Sequence, residues 1–328
     1  MPGELILVGG SHSTVPIESR EHLALPPTRV EDVLTTLVAG PALREAFALS
    51  TCCRTELYAV APDADEGESL LRAELGGGAN RSADLARVAR TARGRPVVEH
   101  LLRVASGLES IALGEVEILG QLSRAGEAAH AAGTRGRILG RLVEHALATG
   151  RRVRHETDIG AGRSSIASVA VGLARRHLGP RSPAGALVIG TGDTGAKAAR
   201  ALRVAGLVVT VLAGRRPERA YRLAADVGGR VAVPEDLLEV LSETDVVVSC
   251  TGAPHQFLPA EALVDVVDRR TRGELVVIDL AVPRDFDPSA RALEGVRLYD
   301  VDDLKGDVGA TAGRRSAAIF RRGGNRHS

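Results

Sequence analysis

Tryptophan is absent from this 328-residue chain, and four phenylalanines and three tyrosines are the only other aromatic side chains besides histidine. The core is therefore left to Ala, Val, Leu and Ile, and there is no aromatic platform on which single-stranded bases could stack. An RNA partner would be held by charge and shape. An excess of either charge is missing too: 42 basic residues face 41 acidic ones, a formal net of +1, so phosphate contacts must come from local patches. Three cysteines, two of them adjacent, cannot build a disulfide framework. The N-terminus runs into a short strand without the basic and apolar regions of a secretory signal. No apolar run reaches the roughly 18 residues of a bilayer-spanning helix. These absences predict a soluble, cytoplasmic protein with no membrane partner and no metal site. The length predicts roughly two domains.

What is present is organised around ALSTCCRTELY at 48–58, which puts a thiol, a guanidinium and a carboxylate within five residues. In an extended segment, Ser50, Cys52, Arg54 and Glu56 would share one face, and Thr51, Cys53, Thr55 and Leu57 the other. Arg54 would then sit beside Cys52 and lower its pKa from about 8.5, raising the fraction of attacking thiolate. The alternative is that both cysteines are small buried packing residues.

Upstream, Glu4 to Val8 predicts a strand ending at Gly9-Gly10, followed by a polar loop with His12 and a helix from near Ile17. Helical spacing over Arg29 to Ala39 aligns Val30, Val33, Leu34, Leu37 and Val38. Pro62 to Glu68 looks turn-like, and Gly76-Gly77-Gly78 is a break. From Pro96 to His155 the pattern is helical almost without pause. His100 lies at the edge of an apolar stripe of Val98, Leu101, Leu102 and Ala105, as an acid-base group or a core-edge histidine. Arg135, Arg137, Arg141, Arg151, Arg152 and Arg154 form a basic stripe, facing phosphates or solvent. The Gly-rich stretch Asp158 to Ser165, where Ser164 or Ser165 can cap the next helix, carries the domain boundary.

Ala186 to Ile189 then predicts a buried strand, and Gly190-x-Gly192-x-x-Gly195 opens a helix, the setting of a dinucleotide-binding turn. Its glycines let backbone amides approach a pyrophosphate at the helix N-terminus. After the strand Val208 to Leu212 the chain carries Ala213-Gly214-Arg215-Arg216, and arginine there suits a 2′-phosphate, hence NADPH. Further strands at Asp245 to Ser249 and Leu275 to Asp279 complete a doubly wound sheet. Cys250 has no charged neighbour in sequence and is read as packing.

Taken together, these segments resemble glutamyl-tRNA reductases. The resemblance rests on GGSHSTVPIESRE (9–21), LSTCCRTELY (49–58), HLLRVASGLESIALGEVEILGQ (100–121), HETDIGAGRSSIASVAV (155–171), VIGTGDTG (188–195), SCTGAPH (249–255) and IDLAVPRDFDP (278–288). It implies an α/β chain with an N-terminal α+β catalytic domain (1–158), a Rossmann NADPH-binding domain (159–304) and a basic tail (305–328) as a remnant of a spinal helix. It implies that Cys52 attacks glutamyl-tRNA to form a thioester, reduced with NADPH to glutamate-1-semialdehyde for tetrapyrrole synthesis and passed to an aminotransferase. Arg54 would bind the substrate carboxylate, a role that competes with activation of the thiol. Ser50, Thr51, Glu56 and His100 would line the same pocket, with Ser110, Glu115, Glu117 and Gln121 in the substrate set. The cofactor set would be Gly190, Gly192, Asp193, Thr194, Gly195, Arg215, Arg216, Thr251 and Gly252. The family usually has Asn at the position of Cys53 and Pro-Gln at Val116-Glu117. It also continues into a dimerisation domain without a counterpart here, so the resemblance does not carry the homodimer over. Two other expectations stand beside this one: a paralogous reductase for another aminoacyl-tRNA or acyl thioester, and a non-catalytic tRNA- or NADPH-binding regulator.

Overall fold

The computed structural model describes residues 3–76, 89–160, 165–179, 184–253 and 256–305. The expected break at Gly77-Gly78, the cap at Ser164, His255 of the SCTGAPH motif and the basic tail beyond Lys305 lie outside the described residues. The chain divides into two compact units, Met1–Ser165 and Ile166–Ser328. Among the described residues no helix is long and apolar enough to cross a membrane.

The first unit is built on an antiparallel sheet of β1 (Glu4–Ser11), β2 (Glu45–Thr51), β3 (Arg54–Ala61) and β4 (Arg90–Arg93), in the order β2-β3-β1-β4. Gly9 and Gly10 do not end β1, as their type suggested; they lie within it. A Cβ on Gly9 would sit 2.6 Å from the Glu56 Cα on the neighbouring strand, so the glycine permits a close approach of two backbones. Among the described residues, the sheet is accompanied by the helices α1 (Ile17–Leu23), α2 (Pro27–Val38), α3 (Ala64–Leu75), α4 (Arg95–Ala105), α5 (Glu117–Ala131) and α6 (Arg137–Glu156). Their buried stripes, with Leu34, Leu71, Leu101 and Leu122, join Ile6, Phe47, Leu57 and Tyr58 in one core.

Three features depart from the sequence expectations. The acidic stretch at 62–68 is the start of α3, because Asp63 caps it, accepting from the amides of Asp65 (2.9 Å) and Glu66 (3.0 Å), and acidic residues suit a helix N-terminus. The helical run from Pro96 is interrupted at 106–116, where Gly107 and Gly114 take positive φ values of 76° and 77°. Finally, Arg154 leaves the basic stripe and turns inward, donating to the carbonyls of Ala105 (2.8 Å), Gly150 (2.7 Å) and Glu115 (2.5 Å). Arg137, Arg141, Arg151 and Arg152 remain exposed.

In the second unit, α7 (Ile166–Leu178) precedes a parallel sheet of order β10-β9-β8-β5-β6-β7. Its strands are β5 (Gly185–Ile189), β6 (Val208–Leu212), β7 (Arg230–Ala232), β8 (Val246–Ser249), β9 (Leu275–Asp279) and β10 (Val296–Asp300). The chain enters mid-sheet at β5, builds outward through β6 and β7, then crosses to β8 on the other side. That reversal of strand order is the topological switch point of a doubly wound fold. The strands β5, β8 and β9 are almost wholly buried, as a sheet covered on both faces requires.

Candidate active site

Cys52 and Cys53 do not lie on an extended strand. They are the two-residue turn between β2 and β3, and Thr51 and Arg54 face each other across its base. The alternation expected through Ser50, Cys52, Arg54 and Glu56 therefore fails, because the chain reverses in the middle of it. Directly opposed residues share a face of an antiparallel pair, so Thr51 belongs with Arg54 and Glu56 through its pairing and the strand period. Ser50 pairs with Thr55 on the other face, where its hydroxyl accepts from the Leu25 amide at 3.2 Å. The turn is anchored through Cys53, whose amide donates to the Thr51 hydroxyl (3.2 Å) and whose carbonyl accepts from the His12 amide (2.7 Å).

Behind the turn lies a buried charge network. Arg54, 2% exposed, donates to Glu56 Oε1 at 2.9 Å and to the Glu109 carbonyl. Glu56 also accepts from the Tyr58 hydroxyl at 2.7 Å and contacts His100 Nε2 at 2.9 Å. Burial alone would raise the Glu56 pKa, but Arg54, His100 and Tyr58 overcome it and hold the carboxyl at about 2. Arg103 in turn donates to the Glu109 carboxylate at 2.6 Å. His100, half-buried on α4, is thus tied to the turn through Glu56, a link between residues 44 positions apart.

Cys52 is half-buried as a residue and its Sγ lies 3.7 Å from Sγ of Cys53. Its pKa is raised, first by the hydrogen bond with Cys53, then by burial, and then by the negative charges of Cys53, Glu115 and Glu117. The guanidinium of Arg54 is paired with Glu56 at 2.9 Å and also interacts with Tyr58 and Cys53. The expectation of an arginine-activated thiol is overturned by the turn, which aims Arg54 into the core. Glu115 is buried, while Glu117, Ser110 and Gln121 are half-buried on the 106–116 loop and α5. A cavity of about 240 Å³ opens in this unit, lined by Gly9, Ser11, Glu56, Arg90, His100 and Glu109 among others.

The second unit supplies a nucleotide-type turn. Between β5 and α8 (Asp193–Val204), Gly190 adopts φ 111°, and a Cβ there would lie 2.6 Å from the Cys250 carbonyl oxygen. At Gly195 a Cβ would be 1.9 Å from the Gly190 oxygen, whereas Gly192 has open space around it. Two glycines thus allow tight packing and the third leaves room at the helix N-terminus, a donor set that fits a dinucleotide pyrophosphate. Asp193 and Thr194 begin α8; Arg215 and Arg216 are exposed beyond β6; Gly252 is exposed beyond β8. A cavity of about 730 Å³ lies at the opposite, N-terminal ends of β5, β6 and β7 and has no part in this turn.

Two residues here escaped the sequence reading. Asp285 accepts from the Ser249 hydroxyl (2.6 Å), the Thr251 amide (3.1 Å) and the Thr251 hydroxyl, fixing the loop after β8. Asp279, at the end of β9, accepts from the amides of Ala281 (3.0 Å), Asp285 (2.7 Å) and Phe286 (2.9 Å). Burial, then the neighbouring Asp285, pushes Asp279 up to about 8. An acid closing a buried apolar strand was the available signal.

Sheet, switch point and glycine turn define a class: a two-unit α/β chain whose second unit is a dehydrogenase-type nicotinamide-dinucleotide-binding domain. Known proteins agree. Residues 8–157 match a model of the glutamyl-tRNA(Glu) reductase N-terminal domain, and residues 172–306 match one of shikimate/quinate 5-dehydrogenase. Glutamyl-tRNA reductase of Sorangium cellulosum strain So ce56 is 40% identical over 97% of the chain and 63% of its own length. That of Desulfitobacterium hafniense strain DSM 10664 / DCB-2 is 35% identical over 97% and 72%. A solved glutamyl-tRNA reductase from Methanopyrus kandleri is 34% identical, covering 97% of this chain and 76% of that one, with a TM-score of 0.49. The chain belongs to the glutamyl-tRNA reductase family.

Proposed function

We propose that this chain is an NADPH-dependent reductase of glutamyl-tRNA, with Cys52 as nucleophile and glutamate-1-semialdehyde as product. The observation that carries this reading is the partly exposed Cys52 on a turn anchored above the Arg54–Glu56–His100 network. The Cys52 thiolate attacks the aminoacyl ester carbonyl; the bond to the ribose oxygen breaks, the freed 3′-hydroxyl takes a proton, and a thioester remains on Cys52. NADPH, when bound, supplies the hydride that reduces the thioester carbonyl. As the aldehyde forms, the carbon–sulfur bond breaks and the sulfur is returned as thiol. His100, half-buried and hydrogen-bonded to Glu56, is the group in this unit suited to carry the proton. The raised Cys52 pKa means that the proton must be removed first, and the charges of Glu115 and Glu117 oppose the thiolate. Arg215 and Arg216 favour the 2′-phosphate of NADPH over NADH. The semialdehyde would pass to an aminotransferase.

The test is mass spectrometry of protein mixed with glutamyl-tRNA without NADPH. A glutamyl adduct on Cys52 is expected, and Cys52→Ser must lose both adduct and turnover. Binding of tRNA and NADPH without any adduct would mean a regulator instead. One observation favours a second reading, reduction of another aminoacyl-tRNA: Arg54, which the family resemblance assigns to the substrate carboxylate, is buried and already engaged by Glu56 and the Glu109 carbonyl. A panel of charged tRNAs decides between them, and turnover of glutamate alone would remove the second.

A further inference from the structure

The mechanism above uses one sulfur of the turn and leaves the other, Cys53, without a task. Both sit on a two-residue turn whose backbone is pinned through Cys53, its amide to the Thr51 hydroxyl and its carbonyl to the His12 amide. Their Sγ atoms are in contact at 3.7 Å, with Cys52 partly exposed and Cys53 buried. A contact of that kind between neighbours in sequence requires both side chains to point to the same side of the turn, which an extended strand would forbid. Cys250, the third cysteine of the chain, belongs to the other unit and hydrogen-bonds to the Ile189 carbonyl at 3.4 Å.

We propose that Cys52 and Cys53 form a vicinal dithiol that a hydroperoxide closes reversibly into a disulfide, making the turn a modification site that shelters the nucleophile from irreversible oxidation. The chemistry balances. One sulfur, as thiolate, attacks a peroxide oxygen; the O–O bond breaks, an alcohol or water leaves with the released proton, and a sulfenic acid forms. The second thiol attacks that sulfur; the S–O bond breaks, the S–S bond forms and water carries off the hydroxyl with the second thiol's proton. Two thiols are oxidised by two electrons and one peroxide is reduced. The bridge is easily reopened for a geometric reason. Adjacent Cα atoms are about 3.8 Å apart across a trans peptide, below the roughly 4.4 Å at which unstrained disulfides begin, so a dithiol reductant restores both thiols. Without a partner 3.7 Å away, a sulfenic acid at Cys52 would proceed to the sulfinic acid, which dithiols do not reverse.

The dithiol and its closure do not depend on the reductase reading, whereas the role of Cys52 as nucleophile rests on it, and the test reads mass rather than turnover. Full-length reduced protein is treated with hydrogen peroxide, digested and mapped. The peptide containing residues 52 and 53 is expected to lose two hydrogens, to lose alkylation by iodoacetamide at both cysteines, and to regain both with dithiothreitol. Cys53→Ser, or Cys53→Asn if the serine variant does not fold, is expected instead to gain two oxygens at Cys52 that dithiothreitol leaves in place. A wild-type peptide that gains oxygens without losing two hydrogens would overturn the proposal. So would a disulfide from Cys52 to Cys250 or to a second chain.

Discussion

The two short turns that follow β2 and β5 both place chemistry at a strand end, and they do so by opposite means. The Cys52-Cys53 turn works through side chains: a thiol, with a guanidinium and a carboxylate from β3 and an imidazole from α4, the guanidinium held in addition by a backbone carbonyl of the 106–116 loop. The Gly190 to Gly195 turn works through their absence, since a Cβ at 190 or 195 would collide with backbone. The first is expensive in buried charge and depends on distant partners. The second depends on space, left by Gly195 for its own turn and by Gly190 for the Cys250 backbone. The comparison teaches that damage should spread differently: through unpaired charge in one turn, through steric overlap in the other.

The largest effect should come from breaking the charge network. Glu56→Gln leaves Arg54 buried without its carboxylate and should cost about 3–5 kcal/mol, measured as a shift in urea midpoint at constant slope. The same variant tests the acid limb. Glu56 has a folded pKa of about 2, below the roughly 4.3 of an unfolded glutamate. Its contribution is therefore complete above the unfolded value and is lost as pH falls from about 4 towards 2. The wild type should lose stability over that window more steeply than the variant; parallel curves would contradict the network.

Next in size is the glycine turn. Gly195→Ala puts a Cβ 1.9 Å from the Gly190 oxygen, and the forced shift should cost at least about 1–3 kcal/mol and abolish NADPH binding in a fluorescence titration. Full retention of NADPH affinity would show that the turn does not hold the cofactor. Replacing Arg215 and Arg216 together by Ser should weaken NADPH by about tenfold, or about 1.4 kcal/mol, and leave NADH unchanged; equal losses for both would remove the 2′-phosphate argument. The mildest change is Cys53→Asn, which deletes the hydrogen-bonding neighbour that heads the causes of the raised Cys52 pKa. The pH profile of Cys52 alkylation should move to lower pH, and an unmoved profile would assign the shift to burial and Glu115 instead.

Legibility from sequence followed the same division. The second unit could be read almost strand by strand, because buried parallel strands and glycine spacing are local signals. Asp279 and Asp285 were missed because nothing local says that three backbone amides will converge on one carboxylate and a hydroxyl pair on the other. In the first unit the residue types at 50–58 were legible but their arrangement was not. STCCRTE contains no glycine, asparagine or proline to announce a reversal, so an extended reading was the natural one. The helix at 64–75 was hidden by an acidic start that is in fact its cap.

Composition, the period of the strands and the ordered motifs by themselves determined a two-unit α/β chain with a dinucleotide turn, since each leaves its signal in residues that are close together in sequence. Tertiary structure alone decided which way the functional groups face. The reversal at Cys52-Cys53 moved Ser50 to the far side, sent Arg54 into the core and brought two sulfurs together. Residues 44 and 55 positions away from Glu56 and Arg54 completed the network. A charge has no meaning for a thiol until its distance and burial are known, and those are set by the fold.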